Sequence, residues 1–132
     1  MTIVLVNGTF DIIHPGHIEL LNYAQSLGDF LVVLIDTDRR VNELKGADRP
    51  INNQFDRKLL LQNLKAVDKV ELFDSVEEFE ELCKQYHPDI MVKGSDYRNK
   101  PIVGSKYCKE IKFYERTNHS TTKAIQDIIN RR

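Results

Sequence analysis

Two histidines three residues apart, in His14-Pro15-Gly16-His17, are the side chains best placed by type and spacing to act on a small anion. They follow Val4-Leu5-Val6-Asn7-Gly8-Thr9-Phe10-Asp11, which reads as a buried strand passing through a glycine-bearing turn into a helix start. A helix N-terminus presents unpaired N–H groups and the positive end of its dipole. Imidazoles add further donors, so the segment suits phosphate. Gly16 lets an anion approach the backbone with no Cβ in the way. The competing reading is a loop histidine followed by a helix cap. Zinc is disfavoured, because no second Cys or His pair stands at a supporting spacing.

The elements that must position these residues alternate, strand-like with helix-like, from one end of the chain to the other. That pattern predicts an α/β fold, a single Rossmann-like doubly wound parallel sheet of about five strands with helices on both faces. Ile3–Val6 and Phe30–Ile35 read as strands buried on both faces, with Lys69–Phe73, Asp89–Val92 and Glu110–Tyr114 as shorter companions. Ile18, Leu21, Ala24 and Leu27 recur at helical spacing and Gly28 is placed to end that helix. A second helix is expected at about Gln54–Leu64, offering Phe55, Leu59, Leu60, Leu61 and Leu64 to the sheet. A third begins near Ser75, where Ser75 and Glu78 have capping-box spacing and Val76, Phe79, Leu82, Cys83 and Tyr86 mark the buried stripe. Its Glu77-Glu78 and Glu80-Glu81 run reads as a solvated face. The last helix is expected from Ser120-Thr121-Thr122, burying Ala124, Ile125, Ile128 and Ile129. Thr37–Asn53 and Ser95–Val103 lack strong periodicity and read as polar loops. In an open parallel sheet, such loops gather at the ligand site beyond the carboxyl ends of the strands.

Composition bounds the function. With 132 residues, 30% charged, 41% hydrophobic and a net charge of -1, the chain reads as one domain, residues 1–132. No whole-chain excess of positive charge is available for a nucleic-acid backbone. No run approaches the roughly 18 apolar residues of a membrane span, and the start lacks a signal-peptide pattern, so a cytoplasmic protein is expected. Cys83 and Cys108 match no metal or redox spacing and read as reduced and structural.

Gly8-Thr9-Phe10-Asp11 followed by His14-Pro15-Gly16-His17 resembles the signature of the cytidylyltransferase-like nucleotidyltransferases, with their HxGH motif. Lys45-Gly46, Arg49-Pro50, Arg57, Val92-Lys93-Gly94-Ser95-Asp96-Tyr97, Gly104-Ser105-Lys106 and Ser120-Thr121-Thr122 then follow in the order seen in the nucleotidyltransferase domain of ADP-heptose synthases. The similarity covers nearly the whole chain. Arg116-Thr117 also resembles part of the RTxGxST segment of glycerol-3-phosphate cytidylyltransferases, although Asn118-His119 alters that pattern.

The resemblance implies an enzyme that joins a nucleoside triphosphate to a phosphorylated acceptor and releases pyrophosphate by in-line attack. ATP and a sugar phosphate such as heptose 1-phosphate are its nearest analogy. A CTP-dependent enzyme making CDP-glycerol or another CDP-alcohol is the alternative, and a non-catalytic nucleotide-binding protein the remote one. By the same resemblance His14 and His17 would donate to the triphosphate, and Lys45 and Arg57 would neutralise phosphate. Arg57 could instead be a surface residue paired with Asp56 or Glu43. Thr9, Phe10 and Gly16 would belong to the nucleotide loop, with backbone groups as contacts. Asp11 would stabilise a turn or bind ligand. Lys93, Gly94, Asp96 and Tyr97 would shape the base pocket, unless Gly94 is a plain turn. Ser120, Thr121 and Thr122 would hold phosphate at a helix start. Arg49 and Arg116 are possible phosphate ligands. Mg2+ would be bound mainly through the triphosphate, a homodimer is implied, and the acceptor would be phosphorylated elsewhere because no kinase domain accompanies this sequence.

Overall fold

Continuous apolar runs flanked by amphipathic segments produce an open parallel sheet. The computed structural model describes residues 1–115, so the expected last helix, with Arg116, Ser120, Thr121 and Thr122, lies outside the described residues. The strands are β1 (Ile3–Gly8), β2 (Phe30–Asp36), β3 (Lys69–Phe73), β4 (Ile90–Gly94) and β5 (Glu110–Tyr114), and the helices α1 (Pro15–Ser26), α2 (Asp38–Lys45), α3 (Gln54–Gln62) and α4 (Val76–Tyr86). The sheet order is β3-β2-β1-β4-β5, with every pairing parallel. From β1 the chain winds outward to β2 and β3, then returns to place β4 on the other side of β1. Connections therefore leave β1 and β4 in opposite directions, which opens a crevice above their carboxyl ends.

Two apolar layers flank the sheet. Val4, Val6, Leu31, Val33, Ile35 and Val92 pack with Leu21 and Ala24 of α1 and Leu61 of α3. Leu5, Val32, Leu34 and Met91 face the other way and meet Phe79 and Cys83 of α4. The alternation along β1 and β2 is the period-two geometry of a strand covered on both sides.

Three expectations need correction. Thr37–Asn53 is not loop throughout, because α2 occupies its first half: the Thr37 side chain accepts from the Arg40 N–H, and Val41 is its buried residue. A helix with one buried apolar position leaves no periodic trace. Phe55, Leu59 and Leu60 do not pack on the sheet, being 69%, 59% and 48% exposed. The buried residues of α3 are Arg57 and Leu61, so the inward stripe is centred on a charged residue. Val76, also expected inside, is 39% exposed.

Between β4 and β5 the chain makes two short 3-10 turns, Ser95–Tyr97 and Ser105–Tyr107. Gly104 enters the second with φ 83°, and a Cβ there would stand 2.8 Å from Cys83 Sγ and 3.1 Å from Phe79 Cε1. The Gly104-Ser105-Lys106 segment thus seals the α4 side of the core. Burial pushes the Cys83 thiol up to about 11, as expected of an inert structural cysteine. Gly104→Ala combines a left-handed backbone with overpacking, and should destabilise the fold by about 2–3 kcal/mol in urea unfolding. An unchanged midpoint would show that the turn relaxes freely.

Candidate active site

The histidine motif is a helix N-terminus built from its own side chains. His14 is the N-cap of α1, and its Nδ1 accepts the Gly16 N–H at 3.1 Å. His17 Nδ1 accepts the His14 N–H at 3.3 Å. A ring nitrogen that accepts an N–H bond carries no proton, so each neutral imidazole holds its proton on Nε2. The spacing of three residues stacks the rings, with centroids 3.9 Å apart and planes 22° apart. Both rings sit at the start of α1, where the helix dipole is most positive, and His14 Nε2 is buried. The cap reading is borne out for Nδ1 of both rings, and it leaves the ring proton on Nε2.

Phe10 adopts φ 52° and buries its ring in the core, 5.0 Å from the His17 ring. Gly8 makes room for it, since a Cβ at Gly8 would meet Phe10 Cε2 at 2.9 Å. Phe10 thus buttresses His17, and only its backbone remains for the nucleotide role expected of it.

Asp11 is fully buried and binds the 49–52 segment. Its carboxylate accepts the Ile51 N–H at 2.9 Å and the Asn52 N–H at 2.8 Å, while its carbonyl accepts from Asn52 Nδ2 at 2.8 Å. Of the two roles considered for Asp11, turn stabilisation is the one these bonds serve. Arg49 Nε stands 3.4 Å from the same carboxylate, and Arg49 Nη2 is buried with no hydrogen-bond partner among the described residues. Arg49 therefore faces inward rather than toward water, and the Arg49–Pro50 bond is cis.

Arg57 meets neither expectation. It is 0% exposed, so it is not a surface residue, and its acidic partner is Asp38 at 2.9 Å rather than Asp56 or Glu43. Its Nε donates to the Asn52 carbonyl at 3.0 Å, and its Nη1 donates to the carbonyls of Thr9 and Asp36, both at 2.9 Å. With four of its five N–H donors committed to these oxygens, Arg57 positions the loops.

Lys45 is the exposed last residue of α2, and its charge works against the burial that pushes the Asp36 carboxyl up. On the other side of the crevice, Lys93 Nζ donates to Asn7 Oδ1 at 2.8 Å and lies 4.8 Å from the Tyr97 ring centroid. Burial pulls the Lys93 ammonium down, against the opposing pull of nearby Cys83, Asp36 and Asp96. Gly94 ends β4 in extended conformation, while Asp96 and Tyr97 follow on the exposed 3-10 turn.

The structure therefore brings Thr9, His14, Gly16, His17, Lys93 and Gly94 to the β1/β4 end of the sheet, with Lys45 and Arg49 reaching in from the β2 side. Sequence reasoning passed over Asn7, Asp36, Arg40 and Asn52. Asn7 and Asp36 could have been found as the polar residues that close otherwise apolar strands. Thr9 Oγ1 donates to Asp36 Oδ2 at 3.3 Å, and burial pushes the Asp36 carboxyl up against the pull of Arg40 and Thr9. Among the described residues no cluster of three His, Cys, Asp or Glu could hold a metal ion, and no helix is long and apolar enough to cross a membrane.

A five-stranded parallel sheet with stacked, capping histidines at its switch point defines a protein of the Rossmann-like α/β class. The chain belongs to the Cytidylyltransferase-like family, whose model matches residues 5–127. It is 48% identical to the bifunctional protein HldE of Nitratiruptor sp. over 93% of this chain and 26% of that protein, and 46% identical to that of Wolinella succinogenes over the same shares. The chain thus spans about a quarter of the length of these curated relatives. A lipopolysaccharide core biosynthesis protein from Thermoplasma volcanium has the same fold, with TM-score 0.73, 28% identity, and coverage of 89% of this chain and 99% of that one.

Replacing Arg57 by Lys keeps the charge but cannot reach the Asn52, Thr9, Asp36 and Asp38 oxygens together. Arg57→Lys should cost about 2–4 kcal/mol in chemical unfolding. A cost below about 0.5 kcal/mol would mean that the guanidinium network does not hold these loops.

Proposed function

We propose that the chain catalyses nucleotidyl transfer from a nucleoside triphosphate, ATP by preference, to a phosphorylated sugar such as heptose 1-phosphate. The observation that carries this reading is the pair of stacked imidazoles whose Nδ1 atoms both accept backbone N–H bonds at the start of α1, which puts the ring protons on Nε2. An acceptor phosphate oxygen attacks the α-phosphorus in line. The new P–O bond forms as the bond to pyrophosphate breaks, and the leaving group departs with its electron pair. The attacking oxygen is already anionic, so no general base is required. His14 and His17 donate more strongly as charge grows on the bridging and non-bridging oxygens, which stabilises the transition state more than the ground state.

Lys45 and Arg49 supply phosphate charge from the β2 side, and the buried Arg49 Nη2 lacking a protein partner supports that role. Lys93, Asp96 and Tyr97 shape the base pocket on the β4 side. Arg116, Ser120, Thr121 and Thr122 would complete the phosphate contacts from the segment outside the described residues. Mg2+ would arrive on the triphosphate and be held mainly through its oxygens. When bound it would neutralise phosphate charge, and the cationic side chains would hold the remaining oxygens. The homodimer that the resemblance implies has a candidate contact surface on α3, where Phe55 and Leu59 lie exposed one turn apart. Reduced, buried Cys83 suits a cytoplasmic location.

Pyrophosphate release should be measured for each of ATP and CTP with heptose 1-phosphate, other sugar 1-phosphates and glycerol 3-phosphate. ATP with a sugar 1-phosphate is expected to give the highest kcat/KM. Preference for CTP with glycerol 3-phosphate would establish the alternative, and no turnover with any pair would defeat both. His14→Asn and His17→Asn keep an acceptor near the Nδ1 position while removing the distal donor. Each should lower kcat by about 100-fold or more with little change in thermal midpoint.

A further inference from the structure

Asp36, at the carboxyl end of β2, is a negative group set among cations that suit phosphate, and nucleotidyl transfer as derived above assigns it no role. Its Oδ2 accepts from Thr9 Oγ1 at 3.3 Å, and its Oδ1 stands 3.4 Å from Arg40 Nε. The position is locked from beneath, because one atom, Arg57 Nη1, donates to the carbonyls of both Thr9 and Asp36. Arg40 is seated as well: its guanidinium lies 5.4 Å from the Phe73 ring centroid, and its Nε is buried with no hydrogen-bond partner among the described residues. Carboxylate, hydroxyl and guanidinium are thus held in a fixed array beside the phosphate loop.

A carboxylate in this place opposes the binding of a triphosphate. Its side chain is only 14% exposed, so water screens the repulsion weakly. The cost is offset when a ligand brings donors to the carboxylate. Phosphate oxygens cannot donate, but hydroxyl groups can. Each Asp36 oxygen faces one protein partner and keeps a further lone pair for such a bond. The base is assigned to Lys93–Tyr97 on the β4 half of the crevice, which leaves the β2 half to the acceptor.

We propose that Asp36, oriented by Thr9 and Arg40, is a specificity-determining residue that accepts hydrogen bonds from the hydroxyls of a polyhydroxylated acceptor phosphate. The inference rests on nucleotidyl transfer as the activity and deepens it by naming what distinguishes the acceptor. Arg40 aims the carboxylate and favours its ionised form against the opposing effect of burial, and is a positioning residue.

The test compares wild type, Asp36→Asn and Arg40→Gln in steady-state pyrophosphate release. The acceptors are the sugar 1-phosphate that turns over best and its monodeoxy analogues. Wild type should prefer the parent sugar over at least one analogue by about tenfold or more in kcat/KM. Asp36→Asn should raise the parent acceptor's KM by about tenfold, narrow the discrimination to about threefold, and leave the triphosphate's KM within about twofold. Arg40→Gln should shift discrimination in the same direction. Retained discrimination in Asp36→Asn overturns the proposal, as do equal losses for both substrates or a defect relieved by more Mg2+, which would make Asp36 a metal ligand. If Asp36→Asn does not fold, unchanged discrimination in Arg40→Gln overturns it. Wild type with turnover but no preference for the parent defeats this inference alone. Wild type with no turnover for any pair defeats the activity and the inference together.

Discussion

The buried guanidinium of Arg57 is the interaction on which the rest of the site depends. A charge at 0% exposure is tolerable only when its donors are met, and here they meet carbonyls of the β1 loop, the end of β2 and the 49–52 segment, plus the Asp38 carboxylate. Those are segments that sequence separation would otherwise let drift. A parallel sheet aligns strand ends only to within a residue or so, because each crossover can adjust its own loops. Arg57 removes that freedom at the carboxyl edge. Asp11 performs the complementary task with opposite charge, accepting the backbone N–H groups of Ile51 and Asn52. The polypeptide 49–52 is therefore held from both sides, by a cation at its carbonyl and an anion at its amides.

The histidine pair shows why spacing matters as much as residue type. At three residues apart across a helix start, His14 caps the Gly16 amide while His17 reaches back to the His14 amide. Both bonds consume Nδ1, and this selects the tautomer that presents Nε2–H. A histidine one residue nearer or farther would lose the reciprocal bond, and its ring proton could reside on either nitrogen. In the proposed transfer, donors fixed in this way would need little reorganisation as charge develops, and that is where most of their advantage over water would arise.

The sheet and its switch point were legible because apolar runs such as Phe30–Ile35 are long, continuous and separated by stripes of helical period. Strand and loop order then put the glycine turn and the histidines at the correct edge. What could not be read was the inward direction of single polar residues. Arg57 lies between apolar neighbours Phe55 and Leu59, and periodicity assigns the burial to those neighbours. The structure reverses that assignment because four oxygens from distant segments await a cation. α2 was missed for a related reason: it has one buried apolar residue, Val41, and owes its start to the Thr37 cap and its end to Gly46. Capping residues are informative, but without a periodic stripe they resemble a polar loop.

The site therefore divides by stiffness. His14, His17, Thr9 and Asp36 are tied to backbone groups or to Arg57, whereas Lys45 stands exposed at the end of a short helix. That division follows from what each group must do. A donor to a developing charge gains only if its direction is set beforehand, so it belongs on an element whose own hydrogen bonds are complete. Neutralising a highly charged phosphate ligand needs proximity more than direction, so a long lysine at the rim serves, and its entropy loss on binding is a modest fraction of the Coulombic gain. The HxxH turn on β1 and the basic arm beyond β2 are thus not redundant cation sources. In the proposed transfer one would set geometry for the reaction and the other would raise the local concentration of anion, with Arg57 keeping the two in register.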